Sequence, residues 1–242
     1  MRPLVVDIGG SHVKAWSPEG DLVERLATGK KFSPAKLIAA IQRWIQRVSC
    51  DRISIGYPGQ VCLGTPCRDP HNLSRGWIDF AFHAQIPLPV RIMNDSAMQA
   101  LGSYHHGRML YLGLGTSVGS SLVADGFVIP LELGSLPFSR GRCLEEVLSN
   151  RALNETGRRR WRKCLLHVLP KLQAAFAVDT VVVGGGNAPL VTGEIPPYVR
   201  LGDNRNAYLG GIRLWQAQVY QHVHWIPEDQ PTSTVQAPAP VV

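Results

Sequence analysis

The sequence predicts an α/β fold in two halves with a cleft between them. Three observations carry this. A short apolar strand, Leu4-Val5-Val6, breaks into Asp7-Ile8-Gly9-Gly10-Ser11, and a second, over 109–114, breaks into Gly115-Thr116-Ser117. Each glycine-marked hairpin start is followed by the same strand and helix theme, which points to a duplicated βββαβα design. The length of 242 residues is long for one compact domain and comfortable for two small ones.

The elements follow in order. Residues 13–16 form the strand returning from the first hairpin. Ser33-Pro34 opens a helix, with Ser33 as N-cap and Pro34 at the first helical position. Leu37, Ile38, Ile41, Trp44, Ile45 and Val48 recur on one face of that helix. Residues 52–56 read as a strand ended by Tyr57-Pro58-Gly59. The Pro-, Gly- and Asn-rich stretch 62–89 is a long irregular excursion, and such loops are often functional. Residues 90–93 are a strand that stops at Asn94-Asp95, and a helix over 96–105 follows.

The polar break His105-His106-Gly107-Arg108 divides the chain, giving halves of 1–107 and 108–226. Residues 119–124 and 127–130 are strands joined by an Asp125-Gly126 turn. Helices are expected over 142–154 and 158–177, with Pro170 kinking or splitting the second. Residues 180–183 form a β-branched strand running into Gly184-Gly185-Gly186-Asn187. A last helix covers 206–222. The Pro/Thr/Gln/Ala-rich end, 227–242, has the composition of a disordered tail.

Composition narrows the function classes. The net charge of +7 fits an anionic ligand as well as plain solubility, and no nucleic-acid-binding motif accompanies it. No apolar stretch approaches the length of a membrane span, and no signal peptide follows Met1. The five cysteines show no zinc-ribbon spacing. Cys62 and Cys67 read as free thiols in a reduced, cytoplasmic setting.

Several constellations could carry chemistry. In Asp7-x-Gly9-Gly10-Ser11-x-x-Lys14 an acid at a strand end precedes glycines whose N–H groups can approach phosphate oxygens, and the acid can hold Mg²⁺ directly or through water. The plainer alternative is an ordinary hairpin with a stray acid. Gly113-x-Gly115-Thr116-Ser117-x-Gly119-Ser120 has the same character. Val183-Gly184-Gly185-Gly186 follows a buried strand without dinucleotide-fingerprint spacing, which disfavours a dehydrogenase. Asp95 stands at a strand end and helix start, on the cleft side of an α/β sheet; taken alone, Asn94-Asp95 reads more readily as a helix cap. Glu132 in Glu132-Leu133-Gly134-Ser135 could equally be a surface acid.

In this chain order the motifs resemble the ROK family of sugar kinases and repressors, over roughly residues 4–215. The matching stretches are 7–11, 55–59, 72–77, 94–95, 114–116 with Gly119, 132–134, 143–145, 183–186 and 207–210, and Ser117 stands where the family often has Gly. In detail and length the chain looks most like the compact polyphosphate/ATP glucokinases. The resemblance implies an actin/hexokinase-like (ribonuclease H-like) two-domain fold closing over a hexose. Asp95 would be the general base for the 6-hydroxyl. Asn94, Glu132, Asn72, Glu145 and Ser135 would bind the sugar. Asp7 would organise Mg²⁺ and the donor phosphates of ATP or polyphosphate. Gly9, Gly10, Ser11, Lys14, Gly115 and Thr116 would line the phosphate path, with Gly185 and Gly186 on the nucleoside side. Homodimerisation is implied by resemblance alone.

Ser135 stands where the family has the His of its Glu-x-Gly-His motif, and the zinc-binding cysteine cluster is missing, so no zinc is expected. The competing reading is a non-catalytic sugar-binding regulator or scaffold. The family's regulators carry an N-terminal helix-turn-helix, for which the first motif at residue 7 leaves no room, and the retained Asp95 favours catalysis. The basic run Arg158–Lys163 could contact polyphosphate; a solvated helix face with Trp161 turned inward is the favoured alternative.

Overall fold

The computed structural model describes residues 1–216 apart from Asp79, Arg140 and Asn204. The chain opens with β1 (Pro3–Ile8), β2 (His12–Trp16) and β3 (Leu22–Ala27), an antiparallel meander. β3 was not distinguished in the sequence, because its side chains are mostly half-exposed. Helix α1 (Pro34–Arg47) starts where expected, with Ser33 Oγ accepting from Lys36 N. It lays Leu37, Ile41 and Trp44 on a core shared with Leu4, Val6, Ile53 and Ile55.

β4 (Arg52–Tyr57) pairs parallel with β1. The excursion after it holds a two-residue hairpin, β5 (Val61–Cys62) and β6 (Thr65–Pro66), and one turn of helix, α2 (Phe82–Gln85). Cys62 and Cys67 form a disulfide across that hairpin. This corrects the expectation of free thiols: the turn returns the chain so that the two side chains face each other. Trp77, fully buried among Phe32, Tyr57 and Phe82, is the anchor of this segment. β7 (Val90–Asn94) completes a sheet of order β3-β2-β1-β4-β7 and leads into α3 (Asp95–Ser103).

The second half repeats the pattern. β8 (Met109–Leu114), β9 (Val118–Ala124) and β10 (Phe127–Leu131) form the meander. A small hairpin follows, β11 (Pro137–Ser139) with β12 (Arg142–Cys143). The helix expected over 142–154 is instead β12 and two short helices, α4 (Glu145–Leu148) and α5 (Asn150–Thr156). Ser149 makes the break, since it adopts an extended conformation and its Oγ caps α5 at Ala152 N. Helix α6 (Arg158–Phe176) runs unbroken through Pro170. Pro170 lies on the exposed face, so the carbonyl it leaves unpaired can turn to solvent. Trp161 points inward, donating to Leu148 O.

β13 (Thr180–Gly184) and β14 (Val199–Leu201) complete a second sheet of order β10-β9-β8-β13-β14. The last helix, α7 (Asn206–Arg213), is shorter than the expected 206–222. Residues 217–222 of that expectation, and the 227–242 tail, lie outside the described residues.

A third core lies between the sheets, built on α3 and α7 with Val5, Met109, Tyr111 and Val182. The two helices cross at glycines: a Cβ on Gly102 would overlap Asn206 O, and one on Gly210 would overlap Met98 O. α7 also returns to the first sheet, where Gly211 O accepts from Ser54 Oγ at 2.7 Å. Among the described residues no helix is long and apolar enough to cross a membrane.

Candidate active site

The β1–β2 turn is closed by Gly9 N donating to His12 O at 2.9 Å. Thr28 braces it from the side, its N–H donating to Ser11 O and its hydroxyl to Gly9 O. Below the turn, Asp7 is in register with Lys14 on β2 and Gly56 on β4. Asp7 is 8% exposed, and its Oδ1 accepts no hydrogen bond from the described residues. Burial pushes its carboxyl up to about 6, against the opposing pull of Lys14. A bare, buried carboxylate oxygen of this kind suits a hard cation.

Asp95 is the first residue of α3. Asn94 caps that helix, its Oδ1 accepting from Ala97 N at 3.1 Å, and its Nδ2 donates to Gly59 O. The cap reading of Asn94 therefore holds, and the cap fixes where Asp95 begins the helix. Asp95 Oδ1 accepts from Ser96 N at 2.7 Å and Ser96 Oγ at 3.3 Å. Oδ2 accepts nothing from the described residues. Burial and then the neighbouring charge of Asp7 lift Asp95 to about 7, with Glu132 adding a smaller push. The two acids are separated by Gly56: a Cβ there would stand 3.1 Å from Asp7 Oδ1, 3.5 Å from Asp95 Cα and 2.5 Å from Met98 Cε.

The second hairpin meets the first. Thr116 Oγ1 lies 3.1 Å from Ser11 Oγ, across a sequence separation of 105. Gly10 sits at the junction, where a Cβ would stand 3.1 Å from Thr116 Cβ and 3.3 Å from Asn72 Nδ2. Asn72, from the excursion loop, is thus at the same point. Gly115 closes its own turn onto Ser117 O and accepts from Asn150 N at 2.7 Å. Glu145 Oε2 receives Val118 N at 3.4 Å and borders Gly134.

Glu132 and Ser135 are exposed and flank the short turn around Gly134. Glu132 reaches Asp95 through its field; the Ser135 side chain makes no hydrogen bond among the described residues. Gly185 has φ +81, and a Cβ on it would crowd Leu114 O at 2.5 Å, so the third glycine run packs on the base of the second hairpin. Gly186 is exposed with open space around it.

Sequence reasoning missed four supporting positions. Gly56 was noted within a motif but not as the spacer between two acids. Ser96 holds Asp95 Oδ1. Gly119, where a Cβ would overlap Ser96 Oγ, lets β9 approach α3. Tyr111 is buried beneath the site with its hydroxyl bonded to Gln99 Oε1, and burial together with the charges of Asp7 and Asp95 pushes its phenol well up. Only the glycines gave a signal, since contacts between elements distant in sequence leave none.

Two sheets of the same topology with their hairpin tips in contact give a fold similar to that of solved ROK-family sugar kinases. A ROK family glucokinase from Streptomyces griseus, in complex with glucose and AMPPNP, superposes with a TM-score of 0.72 at 18% identity, over 88% of this chain and 99% of that one. The inorganic polyphosphate/ATP-glucomannokinase of Arthrobacter sp. strain KM gives 0.71 at 22% identity, over 88% and 98%.

Within that class the chain resembles the polyphosphate glucokinases. The one from Mycobacterium tuberculosis is 25% identical over 222 residues, 83% of this chain and 82% of the relative. No family model matches the chain.

Proposed function

We propose that this protein is a cytoplasmic hexose kinase that transfers a phosphoryl group from ATP or inorganic polyphosphate to the 6-hydroxyl of glucose. The observation that carries this is the meeting of the two glycine hairpins at Ser11 and Thr116, with Asp95 and Asp7 beside them. The relatives named for polyphosphate glucokinase activity support the donor and the sugar.

Asp95 takes the proton of the attacking hydroxyl through its uncommitted Oδ2. The hydroxyl oxygen forms the new bond to the terminal phosphorus, and the bond from phosphorus to the bridging oxygen breaks. The electron pair and negative charge leave with the shortened donor. A base near pKa 7 is better matched to neutral pH than an unperturbed carboxylate of about 3.9. Gly9, Gly10, Ser11, Gly115 and Thr116, with Lys14, are assigned to the donor-phosphate path; the N–H groups of Gly9 and Gly115 close their own turns, so these two glycines contribute close backbone approach. Asn72, Asn94, Glu132, Glu145 and Ser135 are assigned to the sugar, and Gly185 and Gly186 to the nucleoside side.

Asp7 would hold Mg²⁺, directly or through water, and the ion would neutralise donor charge. Among the described residues no group of three or more His, Cys, Asp or Glu side chains is placed to hold a metal. Magnesium needs no such cage, since it uses one or two carboxylates together with substrate phosphates and water. The lobes, 1–107 and from 108 onward, are proposed to part at the touching tips to admit sugar, pivoting on α3 and α7. A homodimer is part of the same proposal and is read by light scattering.

The test is a coupled assay of purified protein with glucose, mannose and N-acetylated hexosamines against both donors. Glucose 6-phosphate formation with either donor is expected. Sugar binding without phosphorylation by either donor would leave the regulator reading in its place.

A further inference from the structure

Thr28, which braces the first hairpin, also begins the wall of an open groove of about 640 Å³ between the end of β3 and α1. Its floor is apolar, made by Leu26, Phe32, Ala39 and Ala40, and its rim carries Lys30, Lys31, Lys36 and Arg43. Over residues 24–47 the cations are Arg25, Lys30, Lys31, Lys36, Arg43 and Arg47, against the single acid Glu24. Glu24 is already occupied by Trp44 Nε1 at 2.6 Å and by the Arg43 and Arg47 guanidiniums at 3.5 Å. Lys36 Nζ donates to Lys31 O. Neither Lys30 nor Lys31 has a carboxylate partner among the described residues.

Like charges gathered along one groove, of which only Arg43 faces a carboxylate among the described residues, repel one another and favour an anion. The groove begins at Thr28, the residue that holds Gly9 and Ser11 in place, so the hairpin and the groove are adjacent. The basic run at 158–163 lies on α6 of the second half, where Arg158 donates to Leu190 O and Thr192 Oγ1 and Arg162 to Glu194 O, whereas the β3–α1 groove shares Thr28 with the first hairpin.

We propose that the β3–α1 groove, through Lys30, Lys31, Lys36 and Arg43, is the track for the distal part of an inorganic polyphosphate chain whose terminal phosphoryl group lies at the first hairpin. The proposal rests on the phosphotransfer reading of the hairpins. The cations lie beyond Thr28 from the hairpin, so their effect is expected to grow with donor length.

The experiment compares the full chain with a Lys30→Ala/Lys31→Ala double variant and with Lys31→Glu. Calorimetry measures binding of long-chain inorganic polyphosphate at several salt concentrations, and kinetics give KM for long-chain polyphosphate, tripolyphosphate and ATP. Losing two phosphate contacts is expected to weaken long-chain binding by about tenfold and to flatten the salt dependence by a slope of about one to two. KM for tripolyphosphate and ATP stays within about twofold, which also shows that the variants fold.

Unchanged long-chain binding overturns the proposal. So does an equal loss for ATP, which would mean a disturbed hairpin, and so does displacement by an oligonucleotide of equal charge with equal affinity, which would mean a generic basic surface. Binding that responds as expected in a protein that phosphorylates no sugar removes the kinase reading and keeps the groove. An ATP-dependent kinase that binds no long chain does the reverse.

Discussion

The β1–β2 and β8–β9 hairpins hold the same place in two sheets of the same topology, yet their chemistry is opposite. In the first, Asp7 faces Lys14 across the hairpin and Gly56 on the neighbouring parallel strand. In the second, the corresponding positions are Gly113, Gly119 and Gly184. One half has kept the acid and its counter-charge; the other has been stripped to backbone. The stripping has a packing reason. A Cβ on Gly119 would overlap Ser96 Oγ, and one on Gly184 would overlap the Tyr111 hydroxyl. The second hairpin lies against α3 just where Asp95 begins it, so the glycines of one half let the acid of the other be held. The duplicated fold thus divides its labour, with charge in the first half and room in the second.

The strongest way to break this comparison is through the acids. Asp95→Asn is expected to lower kcat by about 10²–10⁴ while the sugar dissociation constant changes little, measured by coupled assay and calorimetry. Turnover near the parent level would remove Asp95 from the base role. The same group sets a pH limb. The base must be ionised, so kcat/KM should fall as pH drops below about 7.

Asp7→Asn is expected to cost about a hundredfold or more in turnover through lost metal and donor organisation. Because the charge of Asp7 raises Asp95, residual activity in this variant should extend to lower pH. Its stability moves the other way. Asp7 has a folded value raised to about 6, so the stabilising share it contributes is full below about 3.8 and is lost as pH rises through 6. Above pH 7 the parent carries a buried charge that the Asn variant lacks, worth up to about 3 kcal/mol. Metal-free melts should show Asp7→Asn more stable at pH 8 and equal to the parent at pH 4. Equal stability at both pH values would mean that Asp7 is already paired or hydrated in the fold.

Much of the first half was legible because its signals are local. A strand that breaks at Asp7, the Ser33-Pro34 helix start and the Asn94 cap each act within a few residues. The excursion was legible only as irregular, since its order comes from Trp77 packed on Phe32 and Tyr57, which are distant in sequence. Other departures have separate causes that periodicity does not report: Ser149 splits the helix by capping α5, Pro170 is tolerated on the exposed face of α6, and the β5–β6 turn brings Cys62 to Cys67. At the site, the acids were found by type and place, but not their mutual effect. A value near 7 for Asp95 needs burial and Asp7 together, and neither is written in Asn94-Asp95. Gly56 read as the end of a strand and Gly119 as part of a hairpin motif, and both are spacers.

A smaller effect tests the room-giving half. Gly119→Ala drives a methyl into Ser96, which must shift and loosen its hold on Asp95 Oδ1. A cost of about 1–3 kcal/mol in denaturant unfolding is expected, with a few-fold loss in kcat. Adding Ser96→Ala removes the Oγ overlap and leaves a Cβ contact of 3.2 Å, so it should recover part of the stability but not the rate. Additive effects in that double-mutant cycle would mean that β9 and α3 do not meet there.

The smallest expected effect lies at the contact between the halves. Ser11 Oγ and Thr116 Oγ1 share one exposed hydrogen bond, which contributes under about 1 kcal/mol to stability. If the two tips are equivalent gates, Ser11→Ala and Thr116→Val should act alike, each changing donor KM a few-fold with little change in melting. The asymmetry between the hairpins argues otherwise. Ser11 sits on the tip backed by Asp7, Lys14 and Thr28, so its loss should raise donor KM. Thr116 sits on the bare tip beside Gly10 and Asn72, so its loss should raise sugar KM through poorer closure as well as donor KM. Identical kinetic signatures for the two variants would show that the acid and its counter-charge do not polarise the site, and that the two hairpins differ in sequence more than in role.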